Sequence, residues 1–266
     1  MLRVILIGFK SGLSEAKKSP LNLWLSAFVN FSYYIAQAFF WYAILNSQSS
    51  GYILSDGFII IFFTTVCLVD NLYLFLFGRG SLLLVKKVKS LKLEPHLTLP
   101  INTQFLYVTT NIAFEHFLLS FLSLVLFFTV HIYFGTNILL VFLHFIMVLE
   151  GVLILTSITW IIRTTIFWTT SLVSIKNSNP CFKVLVRPEQ SFHGVVRFIL
   201  MFILPCLFIT GVPASVVSGI MSMKWFFIQT LVTLILILIL ILILILIFIA
   251  KLVFDIGVKR YSKYIT

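Results

Sequence analysis

Three acidic side chains, Asp70, Glu115 and Glu150, interrupt runs that are otherwise apolar. A carboxyl group is costly to hold in hydrocarbon, so acids in such positions read by default as proton relays, substrate contacts or interhelical pairs. His116 follows Glu115 directly, and His131 and His144 lie in similarly apolar surroundings. Two readings stay open. In one, the acids are protonated or paired inside a helical bundle, the ordinary adhesive role of polar groups in membranes. In the other, they form the proton relay of a proton-coupled secondary carrier. Their different depths weigh against a shared ion site: Glu150 lies about 18 Å along its run from Ile138 at about 1.5 Å per residue, and no repeated half-helix pattern accompanies it. Gln37, with Tyr33 and Tyr34, reads either as a bundle contact or as the lining of a substrate path.

Other chemistries find no support. There is no G-x-S-x-G elbow and no H-E-x-x-H pair, the signatures of a serine hydrolase and a zinc protease. The three cysteines, Cys67, Cys181 and Cys206, have no metal-ligand spacing, so no metal centre is expected.

The elements that hold these residues follow from composition. With 61% apolar residues against 10% charged, the chain has far more apolar surface than a water-soluble domain can bury, which excludes a soluble enzyme. Runs of about 20 apolar residues are long enough to cross a hydrocarbon core of roughly 30 Å. Six are expected: Leu21 to Leu45, Gly57 to Phe77, Asn102 to Phe134, Ile138 to Leu172, Phe192 to Ile209 or slightly beyond, and Trp225 to Phe254. The Leu and Ile alternation from Leu234 to Leu246 has strand-like content, but length favours a helix because a lone strand leaves peptide groups unpaired in lipid.

Of 19 Lys and Arg residues, all but Lys224 fall before span one, between spans two and three, in the segment from Arg163 to Arg197, or from Lys251 onward. The positive-inside rule makes those segments, and both termini, cytoplasmic. The net charge of +11 thus reflects topology and needs no nucleic-acid partner. No cleavable signal peptide is expected, because the first apolar stretch is short and broken by Gly8 and Lys10.

Two cytoplasmic elements stand out. Leu2, Ile5, Leu6, Phe9, Leu13 and Ala16 recur at helical spacing opposite Arg3, Lys10 and Lys17, which predicts an amphipathic helix in the membrane interface over residues 1–20. Between spans two and three, Leu84, Val88 and Leu91 share a face surrounded by Lys86, Lys87 and Lys89, and Glu94 and Pro95 end the helix. The bland reading of both is a lipid-anchoring or topology-setting charge cluster. Pro205 and Pro213, with Gly211 between them, fit either a break at the outer end of span five, with the chain dipping back into the outer leaflet, or an ordinary kink followed by a loop.

Three stretches, LKLEPHLTLPINTQF (Leu91 to Phe105), RPEQSFHGVVRFILMFILPCLFITGVPASVVSG (Arg187 to Gly219) and FDIGVKRYSKY (Phe254 to Tyr264), in this order and between these spans, resemble the six-helix permease subunits of ATP-binding-cassette exporters of the second export type. The likeness covers essentially the whole chain; the low-complexity sixth span departs from it. It implies an all-α integral membrane protein with six transmembrane helices: a single permease domain with residues 21–77 holding spans one and two, 78–101 a cytoplasmic coupling loop, 102–172 spans three and four, 173–191 a cytoplasmic loop, 192–254 spans five and six, and 255–266 a cytoplasmic tail. It implies export of an amphipathic or lipid-like compound across a bacterial cytoplasmic membrane, and pairing with a second permease, identical or related, within membrane lipid. It also implies a cytoplasmic P-loop ATPase partner that binds ATP and magnesium, and a coupling role for Leu84, Lys86, Lys87, Val88, Lys89, Leu91 and Glu94. The sequence contains no G-x-x-x-x-G-K-[ST] loop to cradle phosphates, so the chain is expected to be a non-enzymatic subunit with no cofactor of its own.

Overall fold

The computed structural model describes residue 14 and residues 20–47, 56–90, 112–164 and 184–239, and all regular structure among them is helical. The helices are α1 (Pro20–Ser47), α2 (Asp56–Tyr73), α3 (Arg79–Lys89), α4 (Phe117–Tyr133), α5 (Ile138–Thr164), α6 (Gly194–Phe198) and α7 (Gly211–Val217), followed by α8 (Lys224–Ile239). Apart from Ser14, the expected interfacial helix before Pro20 lies outside the described residues, as do the segment from Leu91 to Asn111 and everything beyond residue 239.

Two stretches, Gly57–Gly78 and Ile138–Arg163, are long and apolar enough by themselves to cross a membrane, at 22 and 26 residues. The first is the centre of the bundle. Phe58, Phe62, Val66, Leu68 and Val69 of α2 are fully buried, and α1, α4, α5 and α7 all pack around it. A helix apolar on every side is what such a central position requires. By contrast, α1 turns Leu21, Trp24, Leu25, Phe28 and Val29 outward.

Local chemistry sets the helix ends. Asn137 Oδ1 accepts from the Leu139 backbone N–H at 3.0 Å and caps the start of α5. At the end of α4, Gly135 adopts φ +60°; its N–H bonds Ile132 O, and the Thr136 N–H bonds His131 O, each at 3.1 Å. This is the Schellman closure, and glycine supplies its left-handed residue without a Cβ penalty. It makes a tight hairpin of α4 and α5.

Two expected spans are interrupted. Span three, read as continuous from Asn102, has a non-helical Ala113 (φ −87°, ψ 83°) followed by a 3-10 turn at Phe114–His116 before α4 begins. The cause lies in another helix: between α2 and α3 the chain winds through a π turn, Leu74–Gly78, and Phe75 O accepts from the Ala113 N–H at 3.1 Å. Span five, read as one run from Phe192, is helical over α6, continues as a π turn over Ile199–Ile203, and leaves the helix at Leu204 (φ −119°, ψ 85°). Leu204 precedes Pro205, whose ring disfavours helical geometry in the residue before it.

Candidate functional site

The polar groups inside the bundle form separate contacts, each joining two helices. On α1, Tyr34 is 5% exposed and its hydroxyl donates to Asp70 Oδ2 on α2. Asp70 Oδ1 is buried without a hydrogen-bond partner among the described residues. One residue on, the Asn71 side chain donates to Cys67 O at 2.8 Å, and the Ser120 hydroxyl of α4 reaches Asn71 O at 2.9 Å. This corner of α2 is therefore tied to α1 through a carboxylate and to α4 through a main-chain carbonyl.

A second contact joins α5 and α8. The Thr230 hydroxyl lies 2.8 Å from Glu150 Oε1, and the Gln229 amide donates to Met147 O at 2.7 Å. Glu150 Oε2 and Gln229 Oε1 are buried and carry no hydrogen-bond partner among the described residues. A buried acceptor left open costs about 1 to 3 kcal/mol, so a neighbouring donor is favoured here. Glu115 and His116 fall in the 3-10 turn ahead of α4, and Gln37 is half-buried on α1. Among the described residues no three His, Cys, Asp or Glu side chains gather in a way that could hold a metal ion.

At the other end of α2, the π turn runs directly into α3, which carries Leu84, Lys86, Lys87, Val88 and Lys89; Lys86 is exposed and Lys87 half-buried. Leu91 and Glu94 lie outside the described residues. Arg163, in the last turn of α5, donates to Gly78 O at 3.3 Å and sits 3.5 Å from the Tyr73 hydroxyl. The guanidinium thereby clamps the junction of α2 and α3 to the end of α5.

The segments that flank the fifth apolar run hold a cluster that sequence reasoning missed. Glu189 is 1% exposed and pairs with Arg197 at 3.5 Å, and its neighbour Gln190 donates to Ser215 Oγ at 3.3 Å. The Thr210 hydroxyl donates to Leu185 O at 2.9 Å. A Cβ placed on Gly211 would lie 3.1 Å from Glu189 Cβ, so glycine allows the close approach. Pro205 is buried in the irregular segment 204–210, and Pro213 lies within α7. Residues 185–190, read as cytoplasmic, and residues 210–215, read as the far end of span five, are side by side. Burial raises the Glu189 carboxyl above its usual range; the Ser215 hydroxyl and the Arg197 charge offset part of that rise.

Long apolar helices, a lipid-compatible exterior and polar groups paired between helices define an all-α, multi-helix membrane protein. Residues 31–264 match the family described as ABC-2 family transporter protein, and the chain belongs to that family. No curated protein and no solved structure gives a significant match.

Proposed function

We propose that the chain is the membrane-spanning permease subunit of an ATP-driven exporter of amphipathic or lipid-like compounds, with six spans in one permease domain and both termini in the cytoplasm. A separate P-loop ATPase supplies ATP hydrolysis with its magnesium, and a second permease, identical or related, completes the path through a bacterial cytoplasmic membrane. The observation that carries this reading is membership of the ABC-2 transporter family over residues 31–264. The lack of any phosphate-cradling G-x-x-x-x-G-K-[ST] motif in the sequence agrees with a partner doing the hydrolysis.

In this reading α3 receives the force. Its apolar positions Leu84 and Val88, with Leu91 beyond it in the sequence, seat in a groove on the ATPase, while Lys86, Lys87 and Lys89, with Glu94, orient the helix from the rim. What favours the role is continuity: α3 follows α2 through the π turn without a loop, and Arg163 joins that junction to α5. A displacement of α3 is thereby passed to the two long apolar helices together. The polar contacts at Asp70 and Glu150, with Gln37 and the Glu115 and His116 turn, border the translocation path, and Pro205, Gly211 and Pro213 form the break of span five.

Purification of the tagged chain from its native membrane tests the assignment. A P-loop ATPase is expected to come with it in defined stoichiometry; transport in vesicles by the chain alone, driven by a proton gradient, would instead identify a secondary carrier working through its intramembrane carboxylates.

A further inference from the structure

Near the hairpin of α4 and α5, four side chains form an unbroken hydrogen-bonded series. Thr136 Oγ1, in the turn, lies 3.0 Å from His131 Nδ1. His131 Nε2 lies 2.9 Å from His144 Nδ1, and His144 Nε2 lies 3.1 Å from Thr65 Oγ1 on α2. His131 and His144 are 3% and 0% exposed, whereas Thr136 is half-buried beside the exposed Gly135 and Asn137.

Bond directions follow from the fixed end. Thr65 Oγ1 is 2.7 Å from Ile61 O, and a carbonyl only accepts, so the Thr65 hydrogen is committed there. Thr65 oxygen then accepts from His144 Nε2–H. A neutral His144 presents a lone pair at Nδ1, which accepts from His131 Nε2–H, and His131 Nδ1 in turn accepts from the Thr136 hydroxyl. Each imidazole carries one proton, and every proton has an acceptor.

The Thr136 hydroxyl also lies 3.0 Å from His131 O. If a proton from water binds His131 Nδ1, the hydroxyl turns its hydrogen to that carbonyl and accepts from the new Nδ1–H, with no heavy atom moved. A second proton has no such place: with both rings doubly protonated, N–H would face N–H across the His131–His144 contact. Phe127 packs against both rings, with centroids 4.6 and 4.9 Å away.

We infer that Thr136, His131, His144 and Thr65 form a proton-binding site of capacity one, loaded from the turn between α4 and α5. Apart from His131 and His144, the charged or titratable side chains described on the packed helices make none of the bonds in this series. On α2 these are Asp56, Cys67, Asp70 and Tyr73; Asp70 lies five residues past Thr65, about 7.5 Å along the axis. On α4 there is Tyr133; on α5 there are Glu150, six residues past His144 or about 9 Å, and Arg163. On α1, Tyr34 is turned to Asp70, and α7 carries no titratable side chain. The series ends at Ile61 O, so it holds a proton and does not conduct one across the membrane.

The test is imidazole 15N NMR of the full chain in lipid nanodiscs, titrated about two pH units either side of the ordinary histidine value near 6.5, with His131→Gln and His144→Gln spectra assigning the signals. One proton is expected to bind to the pair, both rings shifting in a single transition. Thr136→Val, which removes the acceptor for the new N–H, should weaken proton binding about tenfold or more, a shift of about one pH unit or more to lower pH, and Thr136→Ser should restore it. Two independent protons, no titration of either ring, or a Thr136→Val transition unmoved from wild type would overturn the inference. Should Thr136→Val fail to fold, the proton count on the unaltered chain still decides.

Discussion

Gly151, midway along α5, packs directly on the main chain of Ile209: a Cβ at Gly151 would lie 3.2 Å from the Ile209 carbonyl carbon and closer still to its oxygen. The obstacle is backbone and not the movable end of a side chain, so α5 and the segment 204–210 approach this closely only because the position is glycine. Small residues let membrane helices make such contacts without a hydrophobic drive from water.

Gly151→Ala is therefore expected to lower stability by about 1 to 3 kcal/mol, the usual cost of overpacking. Gly135→Ala is the comparison: nothing lies within 4 Å of its Cβ position, and its φ of +60° charges only the left-handed penalty, about 1 to 2 kcal/mol. Thermal unfolding in detergent distinguishes the two mechanisms through two further variants. Gly135→Asn, which tolerates left-handed geometry, should recover most of the loss, whereas Gly151→Ser should be at least as damaging as Gly151→Ala.

The bond between Thr230 and Glu150 Oε1 should appear as coupling between the two residues. Thr230→Val and Glu150→Leu, combined in a double-mutant cycle, are expected to give a non-additive term of about 0.6 to 2 kcal/mol, the range for hydrogen bonds between membrane helices. Additive losses would mean that the pair contributes nothing to holding α8 on α5.

Some of this organisation is legible in the sequence. Helices α2 and α5 follow from the long apolar runs Gly57 to Phe77 and Ile138 to Leu172. The pairings are not legible, because nothing in spacing ties Thr230 to an acid 80 residues away or Tyr34 to one 36 residues away. The acids themselves announce that partners are needed but not which. Ala113 fails as a helical residue for a tertiary reason, a bond to Phe75 O, which local propensity cannot register. Glu189 went unremarked because a single acid in a polar segment looks solvated; its burial comes from the return of the chain at Thr210 and Gly211.

Glu189 gives stability a pH dependence whose sign is fixed. Its carboxyl is raised in the folded protein, chiefly by burial, so folding favours the protonated form. That contribution is complete below the unfolded value of about 4.3 and is lost as pH rises through the higher folded value. Glu189→Gln stays neutral throughout. The melting temperature of the variant minus that of the unaltered chain should grow from about pH 4 towards about pH 7; a difference that is flat with pH would contradict the burial argument.

The coupling role of α3 separates apolar anchors from rim charges. Truncating a buried anchor typically costs about 1 to 4 kcal/mol of binding, against about 0 to 1 for an exposed ion pair. Val88→Ser with Leu91→Ser is expected to uncouple ATP hydrolysis from transport while the protein stays inserted and abundant, and Lys86→Ala should change little. Intact ATPase assembly and transport in the double variant would reduce this helix to a topology signal.

The exporter assignment is tested most directly by transport in proteoliposomes containing the chain and its co-purified ATPase, with ATP and magnesium supplied on the ATPase side. Flux of an amphipathic lipid-like probe is expected to require ATP hydrolysis, to stop when the ATPase P-loop lysine is replaced, and to persist when a protonophore abolishes the proton gradient. Flux that ignores ATP and vanishes with the protonophore would contradict the account.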